Sequence, residues 1–165
     1  MIAVDPDPGL GEMFDAAGGI GAPRIGQVPV CWDPDRDAAI AELVGIAART
    51  GKVTDPAAVV TSALAREATV STGLGDGIAI PHAKTDAVSE PVVVYARSRA
   101  GIDWSSRDGT PASELFLIAV PEHAAGDAHL MILSALSRKL VDAQFRAELS
   151  AAGPAHAYEI LTTVQ

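Results

Sequence analysis

Ser71-Thr72-Gly73-Leu74-Gly75-Asp76-Gly77-Ile78-Ala79-Ile80-Pro81-His82 is the stretch on which the reading of this chain turns. Its first seven residues hold three glycines in five positions. That density reads as an irregular loop, because glycine gains nothing from a regular element and serves tight turns. The next four, Ile78-Ala79-Ile80-Pro81, form a short apolar run that reads as a buried strand. His82 lies just beyond it, with Pro81 restricting the backbone on its amino side. The carboxyl end of a strand is where open α/β sheets place their ligands. An imidazole held there can serve as nucleophile, general base or metal ligand.

On the amino side of this stretch the chain is helical. Asp55-Pro56 gives a cap and a first helical residue. Val60, Ala63 and Leu64 then form the buried stripe of a helix that carries Arg66 and Glu67 near its end. Asp33-Pro34 gives the same start signal to an earlier helix. Its stripe of Ile40, Leu43, Val44 and Ala47 runs until Gly51. Before that, Arg24 to Trp32 reads as a first strand. Residues 1–24, acidic and glycine-rich, read as a weakly ordered lead-in with a short helix over Leu10 to Ala17.

On the carboxyl side, Pro91 to Ser98 and Ser113 to Pro121 are rich in Val, Ile, Leu and Phe and read as central strands. Asp127 can cap a helix in which His129, Ile132, Leu133, Leu136 and Leu140 share one face. Two shorter helices, Asp142 to Ala152 and Pro154 to Val164, complete the chain. Helices mixed with strands predict an α/β fold, a mixed sheet flanked by helices in one domain over residues 25–165.

The chain has 165 residues, 48% of them apolar, which suits one domain with a real core. A net charge of −9 argues against nucleic acid or anionic lipid as a partner. The longest apolar runs fall far short of the roughly 18 to 20 residues of a membrane span, so direct membrane insertion is not expected. Met1 to Gly9 lacks the charge pattern of a secretory signal, and a cytoplasmic location follows as an expectation. Cys31 is the only cysteine, which excludes an internal disulfide. A metal centre would need carboxylates such as Asp76 or Asp127, or the remote His123 and His156, and their spacing matches no ligand motif. No cofactor or metal is expected. If the first turn of the His129 helix faces His82, the two rings and the helix amides would hold a phosphoryl group.

Arg66-Glu67, the run from Ser71 to Ala83, Pro91 to Val94, Gly101-Ile102-Asp103-Trp104, Asp108-Gly109 and His129-Leu130 together carry a resemblance. The chain resembles the fructose/mannitol-type (type 2) enzyme IIA domain of the phosphoenolpyruvate-dependent sugar phosphotransferase system, a family with a nitrogen-regulatory branch. The resemblance implies that His82 accepts a phosphoryl group from the phosphocarrier protein HPr and passes it to a cysteine of an enzyme IIB. It implies that His129 stabilises the phosphoryl group, and it matches Arg66 to an active-site arginine. Donor and acceptor are expected to be separate molecules. A regulatory phosphoacceptor, which controls partner proteins by its phosphorylation state, is the alternative. A pseudo-carrier that only binds proteins is a third.

Overall fold

Short aspartate side chains set where three of the described helices begin. The computed structural model describes residues 35–124 and 127–164. Helix α1 spans Arg36–Ala48, and the Asp35 carboxylate accepts the Asp37 N–H at its start. The cap is therefore Asp35, two residues later than Asp33-Pro34 suggested, because its carboxylate reaches a free amide of the first turn. Helix α2 spans Pro56–Thr69, with Asp55 accepting from the Ala58 N–H and Pro56 in the first turn, as its sequence signal predicts. Helix α4 (Ala143–Ala151) repeats the device with Asp142, and α5 (Pro154–Thr162) opens with proline. Helix α3 runs Asp127–Leu140, so Asp127 is its first helical residue and not its cap.

The glycine-rich stretch is not an irregular loop. It forms a hairpin of β1 (Gly73–Gly75) and β2 (Ile78–Ala79), with Gly75 opposite Ile78 across the turn. Asp76 and Gly77 have φ of 52° and 76°. Two adjacent positive φ values belong to the two-residue turn that Asp-Gly makes best, and its twist suits antiparallel strands.

Strand β5 (Ala112–Val120) lies at the centre of the sheet. One side pairs antiparallel with β4 (Val92–Ile102). The other pairs parallel with β2 and then, in one continuous register, with β3 (His82–Lys84). Proline interrupts that edge, since Pro81 has no N–H to donate, yet its carbonyl still accepts the Ile118 N–H at 3.0 Å. His82 thus opens a second short strand and does not simply follow the first. Among the described residues β4 pairs with β5 alone, so the expectation that both long strands are central holds for β5 only.

Alternation along β5 sorts the core into two layers. Leu115, Leu117 and Ala119 face α1 and α2, where Ile40, Leu43, Val59, Ala63, Ala83 and Trp104 are buried. Phe116, Ile118 and Val120 face the other way and pack with Leu136, Leu140, Phe145, Leu149, Ile160 and Leu161 of α3, α4 and α5. The predicted α/β architecture, a mixed sheet flanked by helices, is the one observed. The expected strand over Arg24 to Trp32, the helix over Leu10 to Ala17, the lead-in and Cys31 lie outside the described residues.

Candidate functional site

His82 is placed by three constraints. Its strand pairs it with Ile118, which assigns it to the face covered by α3. Ala83 behind it is fully buried beneath α2, and the Ser62 hydroxyl of that helix donates to the Lys84 carbonyl at 3.1 Å. The ring itself, half-buried, lies with Nδ1 2.9 Å from the Ile80 carbonyl oxygen. A carbonyl only accepts, so Nδ1 carries the proton in this contact. The neutral ring then has its lone pair on Nε2.

Burial lowers the His82 pKa below the ordinary 6.5, and the positive charge of Arg66 pushes it the same way. The Ile80 carbonyl, which is the second largest influence, and the Glu67 charge oppose them. The balance favours the neutral imidazole, the form that can attack an electrophile.

Arg66, in the last turn of α2, donates from Nη1 to the Val70 carbonyl at 2.9 Å. This contact ties the guanidinium to the end of its own helix. Its positive charge is one of the influences that lower the His82 pKa. Lys84 is exposed two residues on. His129 lies in the first turn of α3, the helix that covers the face of the sheet to which His82 belongs; its side chain lies outside the described residues.

In the sequence Glu67 reads as a partner for Arg66, and Thr72 reads either as a group that orients the phosphoryl group or a ring, or as a residue of capping and turn hydrogen bonds. The structure makes both buried parts of the site, at 3% and 6% exposure. Glu67 Oε1 accepts the Thr72 N–H at 2.9 Å, and Oε2 accepts the Thr72 hydroxyl. The Thr72 hydroxyl in turn accepts from Trp104 Nε1 at 3.1 Å, and Ser71 donates to the Trp104 carbonyl at 2.6 Å. A signal was present in the sequence: Glu67 continues the spacing of Val60, Ala63 and Leu64, which puts a carboxylate on a core stripe.

Asp76 is held by other groups. Its N–H donates to Asp108 at 2.8 Å, and its carboxylate pairs with Arg146 of α4 at 3.3 Å. Trp104 is wholly buried, a packing residue with one hydrogen bond toward the site. Among the described residues no cluster of three or more His, Cys, Asp and Glu could hold a metal ion, and no helix is long and apolar enough to cross a membrane.

Fold and site together define an α/β protein built around one positioned, uncharged histidine at a sheet edge. The chain belongs to the enzyme IIA family of the phosphoenolpyruvate-dependent sugar phosphotransferase system, type EIIA 2, whose sequence model matches residues 33–164. It is similar to the PTS system fructose-specific EIIA component of Haloferax volcanii, 49% identical over 114 residues that cover 69% of this chain and 73% of that one. The crystal structure of nitrogen regulatory protein IIA-Ntr from Neisseria meningitidis superposes with a TM-score of 0.71 at 32% identity, covering 77% of this chain and 86% of that one. The complex of enzyme IIAMTL and phosphorylated enzyme IIBMTL from Escherichia coli shares the fold, with a TM-score of 0.66 at 23% identity and coverage of 78% and 88%.

Proposed function

We propose that the protein is a phosphoryl carrier of the sugar phosphotransferase system and that His82 is the residue phosphorylated. The observation that carries this reading is the Nδ1 contact to the Ile80 carbonyl, which leaves a nucleophilic lone pair on Nε2 of an uncharged ring. In the first step Nε2 attacks the phosphorus of phospho-HPr, the N–P bond of the donor breaks, and its electron pair returns to the donor ring. In the second step a cysteine thiolate of a separate enzyme IIB attacks the same phosphorus, the Nε2–P bond breaks, and His82 returns to its neutral form. Phosphoryl transfer asks little covalent chemistry of a protein beyond positioning and charge compensation.

About two negative charges arrive with the phosphoryl group. Arg66 is the cation whose field reaches His82, and the family resemblance supports His129 as a donor to the phosphoryl oxygens. The first turn of α3 would add free amides. The carrier domain spans residues 25–165 and works in the cytoplasm, with no cofactor. Likeness to the fructose-specific component favours sugar transport. Likeness to the nitrogen regulatory protein supports a second reading, a phosphoacceptor that controls other proteins by its phosphorylation state.

The test is labelling from phosphoenolpyruvate through enzyme I and HPr, followed by a chase with enzyme IIB. A carrier takes one acid-labile phosphoryl group and loses it rapidly in the chase. A regulator keeps it and captures another protein in a phosphorylation-dependent manner. His129→Ala should still accept phosphate at His82 but pass it on more slowly; equal transfer rates in variant and parent would remove His129 from the site.

A further inference from the structure

A continuous run of hydrogen bonds leads from the buried carboxylate of Glu67 to the ring of His82. Glu67 accepts both the backbone N–H and the hydroxyl of Thr72. The Thr72 carbonyl accepts the Ile80 N–H at 3.1 Å, and the Ile80 carbonyl accepts from His82 Nδ1 at 2.9 Å. Trp104 closes the arrangement from behind by donating to the Thr72 hydroxyl. The carbonyl that selects the tautomer of His82 therefore belongs to a peptide segment anchored through Thr72, and the anchor of Thr72 is Glu67.

We infer that Glu67 is a positioning residue of the phosphoryl-transfer site: through Thr72 it holds the Ile80 carbonyl where His82 must keep its proton on Nδ1 and present Nε2. The carboxylate touches neither phosphorus nor the reacting nitrogen, so it acts through the peptide between them. This role rests on His82 being the phosphoacceptor. Two physical points favour it over simple loop support. A buried carboxyl is costly unless its oxygens are satisfied, and both oxygens of Glu67 are used on Thr72, the residue bonded to Ile80. Polar pairs inside a protein are also rigid because breaking one strands its partner. A ring nitrogen held by such a shell keeps one tautomer, much as an outer partner does for a metal-bound histidine.

The experiment compares parent, Glu67→Gln, Thr72→Val and Thr72→Ser, all unphosphorylated and with ¹⁵N-labelled histidine. Ring ¹⁵N shifts report the tautomer of His82, assigned by its loss in His82→Ala, and the amide spectrum reports the fold. The parent should show a protonated Nδ1 and a lone-pair Nε2. Glu67→Gln and Thr72→Val should move His82 toward a mixture of tautomers and slow phosphoryl acceptance from phospho-HPr by roughly 10- to 100-fold. Thr72→Ser, which keeps the hydroxyl, should restore both. A parent with its proton on Nε2, or Glu67→Gln with tautomer and acceptance rate unchanged, overturns the proposal. Because the tautomer is read without phosphate, tautomer dependence on Glu67 in a chain that takes no label would refute the phosphoacceptor reading and leave the positioning of the ring standing.

Discussion

Two glutamates are buried among the described residues, and their hydrogen bonds lead to different places. Glu67 ends helix α2 at 3% exposure and spends both oxygens on Thr72, next to the strand that carries His82. Glu114 lies in the central strand β5 at 9% exposure, on the layer of α3 to α5. It accepts from the Tyr95 hydroxyl and faces the Arg97 guanidinium at 3.6 Å. Arg97 Nη2 in turn donates to the Leu149 and Ala152 carbonyls, each at 2.9 Å, and so ties the end of α4 to the sheet. Burial pushes the Glu114 carboxyl and the Tyr95 hydroxyl up from their ordinary values. Burial alone therefore does not mark a functional carboxylate; what its hydrogen bonds lead to does. One network ends at the ring of His82, the proposed phosphoacceptor, and the other at a helix end.

The largest effect should come from His82→Ala, which removes the proposed nucleophile. Labelling should fall to background while the melting curve stays close to that of the parent, because the half-buried ring leaves behind little unfilled core. Residual label on the variant would move the acceptor elsewhere. The losses proposed for Glu67→Gln and Thr72→Val come next, and they sharpen the comparison only if the other network behaves differently. Tyr95→Phe deletes the hydroxyl donated to Glu114 and leaves a buried carboxyl short of a partner, so urea unfolding should report a loss of about 1–3 kcal/mol. Its labelling rate should match the parent. A Tyr95→Phe protein that is stable but slow to accept phosphate would erase the distinction drawn between the two glutamates.

The smallest effect is a titration. Since burial and Arg66 outweigh the Ile80 carbonyl and Glu67, His82 should protonate only below the ordinary 6.5. Nucleophilic Nε2 would then persist as pH falls through 6.5 and be lost only at lower pH. Ring ¹⁵N shifts followed against pH check this, and a midpoint at or above 6.5 would contradict the desolvated setting. Arg66 and Glu67 of α2 set the opposing charges, so replacing Glu67 should lower the midpoint further.

Much of this was legible in the sequence because the signals were local. Asp55-Pro56 and Asp142 announced their helices, and the apolar runs of β4 and β5 announced strands. His82 stood out because proline and a glycine-rich run precede it. The hairpin did not, since Gly-Asp-Gly looks the same in a loose loop and in a tight turn until two adjacent positive φ values separate them. The cap of α1 is Asp35, because its carboxylate meets a first-turn amide, and that meeting is settled by the folded backbone. The Glu67 network was hidden for another reason: Thr72 and Trp104 lie 32 residues apart, and only the fold brings a hydroxyl to an indole. Glu67 itself sat in plain view, a charge on an apolar stripe.

Locating the phosphorus atom tests the account most directly. After incubation with phosphoenolpyruvate, enzyme I and HPr, ³¹P–¹H correlation spectroscopy of the labelled protein should show one phosphoryl group, on His82 and bonded to Nε2. A phosphoryl group on Nδ1, on another residue, or absent altogether would contradict it.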